Sequence, residues 1–185
     1  MPEGQHFREC QKGSTLVLPP AEGTPVAAAT GMAHPNRNNR ISYTGRSRYL
    51  ITAVTRDRCK AFADIEFGRR CELQLAEHAL REQFDIPAYC LMPDHVHLVA
   101  IGRTPESDLQ RFITKWKQAT GFAWSRLGRG RLWQPSYWDR LARFDEPLET
   151  MTRYVVENPV RANLVANASD YGLAGSILNG EVGQH

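Results

Sequence analysis

Apolar residues first fall into a regular pattern near residue 49. Residues 49–55 (YLITAVT) are rich in β-branched and aromatic types and predict a strand. Residues 65–84 place Leu73, Ala76, Leu80 and Phe84 at helical spacing among Glu and Arg, which predicts a helix burying that face. Residues 86–92 (IPAYCLM) and 95–101 (HVHLVAI) read as two strands hairpinned through Pro93-Asp94. A second helix is predicted over 108–126, with Leu109, Phe112, Ile113, Trp116 and Ala123 on one face and Gly128 and Gly130 ending it. A fourth strand is expected over 136–142. A third helix follows, capped by Asp145 with Pro147 in its first turn. It should stop near Asn158, because Pro159 disfavours helix at the residue before it.

The order β-α-β-β-α-β plus a helix predicts an α+β fold: a ferredoxin-like sandwich, two helices on one face of a four-stranded antiparallel sheet, with an added C-terminal helix on the other face. The domain so defined covers residues 43–166. Residues 1–42 show no sustained period and carry Pro19-Pro20, an alanine run and asparagines, the composition of a disordered extension. Met32 precedes the polar stretch that leads into the first strand, and the natural start is expected there. Residues 167–185 read as a weakly structured tail.

Composition narrows the setting. Apolar residues make up 42% of the 185, enough for one core. No apolar run approaches the ~20 residues of a membrane span, and no charged start leads into an apolar stretch, so the expected location is the cytoplasm and no membrane partner is expected. Cys10, Cys59, Cys71 and Cys90 form no CxxC pair, which argues against a zinc knuckle and for free thiols in a reducing compartment. Net charge is only +3, but it is uneven: residues 111–143 hold eight cations against Asp139 alone. Of these, Arg111, Lys115, Lys117, Arg126, Arg129 and Arg131 are the candidate contacts to a nucleic-acid backbone. Trp116, Trp124, Trp133, Tyr137 and Trp138 stand among them as surfaces for bases, or else as core aromatics beside a solvated helix face.

The sharpest local signal is His95-Val96-His97. In a strand, residues two apart point to one face, so both imidazoles project together and offer half of a metal site. The bland reading is two ordinary histidines. Tyr154 and Asn158, four apart on the third helix, share a face. An asparagine oxygen suits Mg²⁺ or Mn²⁺, and the end of a helix favours a cation. Equally, Tyr154 fits a half-buried aromatic and Asn158 a helix cap before proline.

Three segments together resemble a known family. Residues 92–99 (MPDHVHLV) resemble the histidine-hydrophobic-histidine (HUH) motif of single-tyrosine transposases. Residues 133–140 (WQPSYWDR), followed by Tyr154 and Asn158-Pro159-Val160-Arg161-Ala162, resemble their second signature. The likeness is nearest to the REP-associated tyrosine transposases and runs from about Tyr43 to Val165. It implies a ferredoxin-like core, a divalent ion (Mg²⁺ or Mn²⁺) held by His95, His97 and Asn158, and Tyr154 as nucleophile. The implied reaction nicks and rejoins single-stranded DNA through a 5′-phosphotyrosine, on REP-type hairpins, with the enzyme a monomer or homodimer. Three rivals share some of these features: a domesticated hairpin-binding protein that does not cut, a metalloenzyme using water, and a relaxase or replication initiator. If the six cations contact phosphate, binding to single-stranded DNA should fall steeply as salt is raised; a flat salt titration would remove them from the interface.

Overall fold

A computed structural model describes residues 43–143 and 145–184 of the chain. The expected extension over residues 1–42, with the expected start at Met32, lies outside the described residues. Strand β1 (Arg48–Val54) alternates as its sequence requires: Tyr49, Ile51 and Ala53 are fully buried on one face, and Leu50 and Thr52 point to the other. Helix α1 (Ile65–Arg81) begins where the Asp64 side chain accepts the Phe67 backbone N–H at 3.2 Å. It ends because Gln83 turns to a φ of 60°, so Phe84 opens the next strand instead of closing the helix.

The buried face of α1 differs from the predicted one. Leu73 and Leu80 are 66% and 45% exposed, whereas Phe67, Cys71, Leu75 and Ala79 are buried. Both stripes have helical spacing. The real one includes Gly68, packed against the Leu173 side chain, and shares only Ala76 of the helix with the predicted face.

Strands β2 (Phe84–Met92) and β3 (His95–Gly102) form the expected hairpin. Pro87 lies inside β2 yet is tolerated in a central strand, because the register shifts on both sides of it. Past that shift Ala88, Cys90 and Met92 face away from α1. Helix α2 (Leu109–Ser125) is capped by Asp108, which accepts the Arg111 N–H at 2.9 Å. Strand β4 (Trp138–Leu141) is shorter than predicted.

Helix α3 (Leu148–Val156) is not capped by Asp145: no side-chain cap bond forms, and Pro147 stands at the cap position. The carboxylate of Glu146 instead closes the preceding turn, accepting from both Arg140 nitrogens at 2.6 and 2.7 Å and from the Arg143 N–H. A short helix α4 (Asn158–Arg161) follows, so Asn158 lies just past α3 and not in its last turn.

The sheet is antiparallel throughout, in the order β4-β1-β3-β2-β5-β6. Its first four strands with α1 and α2 are the expected ferredoxin-like unit. Two more strands come from residues expected to be weakly structured. In β5 (Ala174–Leu178) and β6 (Glu181–Gln184) the chain turns at Asn179-Gly180, both at positive φ. Asn-Gly is a strong hairpin signal, obscured here because the strands are short. One core lies between the sheet and α1 and α2; a smaller one, built from Ala88, Cys90, Met92, Val99, Met151 and Val155, lies under α3 on the opposite face. No helix among the described residues is long and apolar enough to cross a membrane. Cys71 and Cys90 are free and buried, as expected, whereas Cys59 is disulfide-bonded.

The larger core contains one charge. Glu72 is only 3% exposed, accepts a hydrogen bond from the Tyr89 hydroxyl and pairs with Arg69 at 2.8 Å. Burial, then the bond to Glu72, pushes the Tyr89 phenol well above its ordinary range, so it stays a donor. Tyr89→Phe should leave that carboxylate short of a partner and lower stability by ~1–3 kcal/mol, read as the midpoint shift in urea unfolding.

Candidate active site on the third-helix face of the sheet

Strand β3 is buried on both faces, so its alternation decides which side each residue serves. Val96, Leu98 and Ala100 join the larger core; His95, His97 and Val99 face α3. The two imidazoles lie edge to face, with centroids 4.8 Å apart. The expected pairing of His95 and His97 on one face is therefore present.

Each ring is oriented by one nitrogen. Nδ1 of His97 lies 2.9 Å from Thr52 Oγ1 on β1, and Nδ1 of His95 lies 2.5 Å from Asp94 Oδ1 in the hairpin turn. Both Nε2 atoms are then left for a ligand, the arrangement of imidazoles that bind metals through one nitrogen and are held by the other. Burial first, then the neighbouring His95 and Arg161, holds the His97 imidazole down to about 3, so it is neutral at physiological pH. Burial alone would raise the Asp94 carboxyl, but the bond and charge of His95, with Arg58 at 3.3 Å, bring it below its ordinary value.

Tyr154 arrives from α3. The helix is seated by Met151 and Val155, both buried against β2 and β3, which turns Tyr154 toward the histidines. Its ring centroid is 6.0 Å from that of His97 and nearly perpendicular to it. All six tyrosines are among the described residues, and Tyr154 is the exposed one, at 43%. Tyr49, Tyr89 and Tyr137 are buried, Tyr43 stacks on Tyr49, and Tyr171 donates to the Leu91 carbonyl at 2.9 Å.

Asn158 holds the end of α3: its Nδ2 donates to the carbonyls of Tyr154 at 2.8 Å and Val155 at 3.2 Å. The capping role is thus real, and it leaves Oδ1 as the atom a cation would take. Among the described residues no three His, Cys, Asp or Glu side chains cluster as a metal site. A donor set of two imidazoles and one amide lies outside that description.

Sequence reasoning missed two groups here. Arg161 lies over the Tyr154 ring, 4.7 Å from its centroid, and donates to the Tyr154 carbonyl. The available signal was its place among residues 158–162, one of the segments that carry the resemblance, and not helical spacing, since α3 ends at Val156. Thr52 carried none, since only strand register brings it to His97.

The cationic candidates are not gathered at this site. They sit on or after α2, which packs with α1 on the other face of the sheet. Arg111 pairs with Glu82 near the end of the sheet away from His95. Lys117 is a structural staple, donating to the carbonyls of Gln134 and Ser136 at 2.8 Å each. Arg129 pairs with Asp64 at 3.2 Å and lies over Trp124. Lys115, Arg126 and Arg131 are exposed, with Arg126 beside the Phe122 ring.

Nor are the aromatics a stacking surface, with one exception. Trp116, Trp124 and Trp133 are buried, and their indole N–H groups donate to Cys71 O, Arg129 O and Thr120 Oγ1. Tyr137 is buried too, and only Trp138, at 49%, is exposed. Core aromatics, the bland alternative, describe the other four.

Comparison with known proteins bears on the same residues. The model of a family described as "Transposase IS200 like" matches residues 44–158, a span that contains His95, His97, Tyr154 and Asn158. A protein of Haemophilus influenzae, provisionally named a REP-associated tyrosine transposase, is 29% identical over 149 residues, covering 72% of this chain and 82% of its own. The REP-associated tyrosine transposase of Escherichia coli K12 is 28% identical over 105 residues, covering 54% of this chain and 62% of its own. Among solved structures, a REP-associated tyrosine transposase bound to a REP hairpin superposes with a TM-score of 0.63 at 20% identity, covering 77% of this chain and 82% of that one. At that identity the likeness concerns the fold.

The two lysines of α2 separate structural from surface cations. Lys117→Ala should cost ~1–3 kcal/mol, as two backbone acceptors lose their donor. Lys115→Ala should stay within about 0.5 kcal/mol of the parent. Parallel urea unfolding curves check both.

Proposed function

The chain belongs to the IS200-like transposase family, and from that premise we propose that it nicks and rejoins single-stranded DNA, with Tyr154 as nucleophile and a divalent cation held by His95, His97 and Asn158. The observation that carries this reading is the placement of Tyr154, exposed on α3 with its ring centroid 6.0 Å from His97 on the facing strand. A binding protein needs no such convergence.

In this reading the Tyr154 hydroxyl oxygen attacks the phosphorus of one phosphodiester. The new bond joins tyrosine oxygen to phosphorus; the bond that breaks joins phosphorus to the 3′ oxygen. The products are a 5′-phosphotyrosine and a free 3′-hydroxyl, and the phenol proton is balanced by the proton the leaving oxygen takes up. Because the phosphorus remains in an ester, a second 3′-hydroxyl can displace the tyrosine and rejoin the strand without nucleotide hydrolysis. The cation, Mg²⁺ or Mn²⁺, supplies charge neutralisation at the phosphate when bound.

The chain's own residues do the rest. Thr52 and Asp94 orient the two imidazoles. Arg161 stacks on the Tyr154 ring, limits its rotation and places a positive charge beside the approaching phosphate. Arg140, held by Glu146, is a second cation on this face. The substrate proposed is a REP-type DNA hairpin with a single-stranded flank, as the hairpin-bound structural neighbour suggests.

Wild type and Tyr154→Phe should be mixed with labelled hairpin DNA in Mn²⁺ or EDTA and run on a denaturing gel. The reading expects a denaturant-resistant protein–DNA band with wild type in Mn²⁺ alone. An equal band from Tyr154→Phe refutes the nucleophile. Nicking without any band favours water as nucleophile, and tight binding without nick or band favours a hairpin-binding protein.

A further inference from the structure

Thr52 lies directly opposite Trp138 across the β1–β4 pair and opposite His97 across the β1–β3 pair. Residues directly opposite in an antiparallel sheet share a face. Trp138, Thr52 and His97 therefore form one cross-strand row, tied together by the 2.9 Å contact between Thr52 and His97. Trp138 stands two strand spacings from His97, ~10 Å.

The other three tryptophans are buried with their indole N–H groups bonded, while Trp138 is 49% exposed. The face it occupies is covered unevenly: α3 makes its main contacts with β2 and β3, leaving the side toward β4 open beside Tyr154. An open indole in line with the proposed reacting groups is a flat, sequence-tolerant surface for a nucleobase. The nearest cation on β4, Arg140, is already paired with Glu146, so the indole is the distinctive feature of this strip.

We propose that Trp138 stacks on an unpaired nucleobase next to the scissile phosphate and so holds the single strand in line with Tyr154. This rests on the reading that Tyr154 acts on single-stranded DNA, and it makes β4 the floor of the substrate strand. Trp138 is a substrate-positioning residue: it sets where the strand lies, while the bond is broken elsewhere.

The test uses the full chain and a fluorescein-labelled DNA hairpin with a short single-stranded flank, intact or with an abasic site at each flank position in turn. Trp138→Ala and Trp138→Leu should weaken binding by roughly 5- to 100-fold, and Trp138→Tyr by only a few-fold. Leu keeps apolar bulk on the strand but cannot stack, so a loss shared by Ala and Leu and restored by Tyr is not a folding defect. One abasic position should weaken wild type similarly and add nothing to Trp138→Ala. At saturating DNA, adduct formation by Trp138→Ala should remain slower than wild type and recover in Trp138→Tyr, because a bound strand that is not stacked is not held in line with Tyr154.

Unchanged binding by Trp138→Ala and Trp138→Leu, or abasic losses fully additive with Trp138→Ala at every position, overturns the stacking proposal. Stacking losses with no adduct from wild type would retain the Trp138 surface and remove the nuclease reading. An adduct from wild type with binding indifferent to Trp138 would do the reverse.

Discussion

The register of β3 between β1 and β2 is the constraint from which the site follows. The strand is buried on both sides, so its two sets of side chains must meet two different cores, one under α1 and α2 and one under α3. A slip of one residue would send His95 and His97 into the core under α1 and α2 and Val96 and Leu98 toward Tyr154. Seven consecutive pairs with β1 hold the register, and the same pairing delivers Thr52 to His97. Fold and site orientation thus rest on one hydrogen-bonded ladder.

The second element depends on that ladder. Helix α3 is nine residues long, marginal alone, and gains its stability from Met151 and Val155 against Val99, Ala88, Cys90 and Met92. The register shift at Pro87 turns those β2 residues toward α3. The same packing rotates Tyr154 toward His97, and Asn158 and Arg161 brace the helix end by donating to backbone carbonyls. Core packing and presentation of the tyrosine are one event.

The basic, aromatic segment after residue 111 shows how composition can point at the right chemistry through the wrong atoms. Trp116, Trp124 and Trp133 lie where α2 meets α1 and the sheet, and Lys117 and Arg129 serve as staples and ion pairs. Aromatics at helical spacing bury for the same reason as any apolar residue, and a lysine close to orphan carbonyls bonds them. What the segment offers the site face is Trp138 and Arg140, on the strand that pairs with β1.

Much of this protein was legible in its residues alone. Periodicity placed the first four strands and two of the helices, since strand and helix spacing are local properties. The alternation in His95-Val96-His97 put both imidazoles on one face, whereas the helix expected to carry both Tyr154 and Asn158 ends at Val156, and Asn158 opens the next short helix. The sequence did not decide which stripe of α1 would be buried, because Leu73 with Leu80 and Phe67 with Leu75 are equally periodic. Nor did it decide that residues 174–184 would extend the sheet, since strands of five and four residues carry little pattern. The meeting of Thr52, His97, Tyr154 and Trp138, from four separate elements, belongs to the tertiary structure. No local rule relates residues so far apart in the chain; only strand pairing and the seating of α3 bring them together.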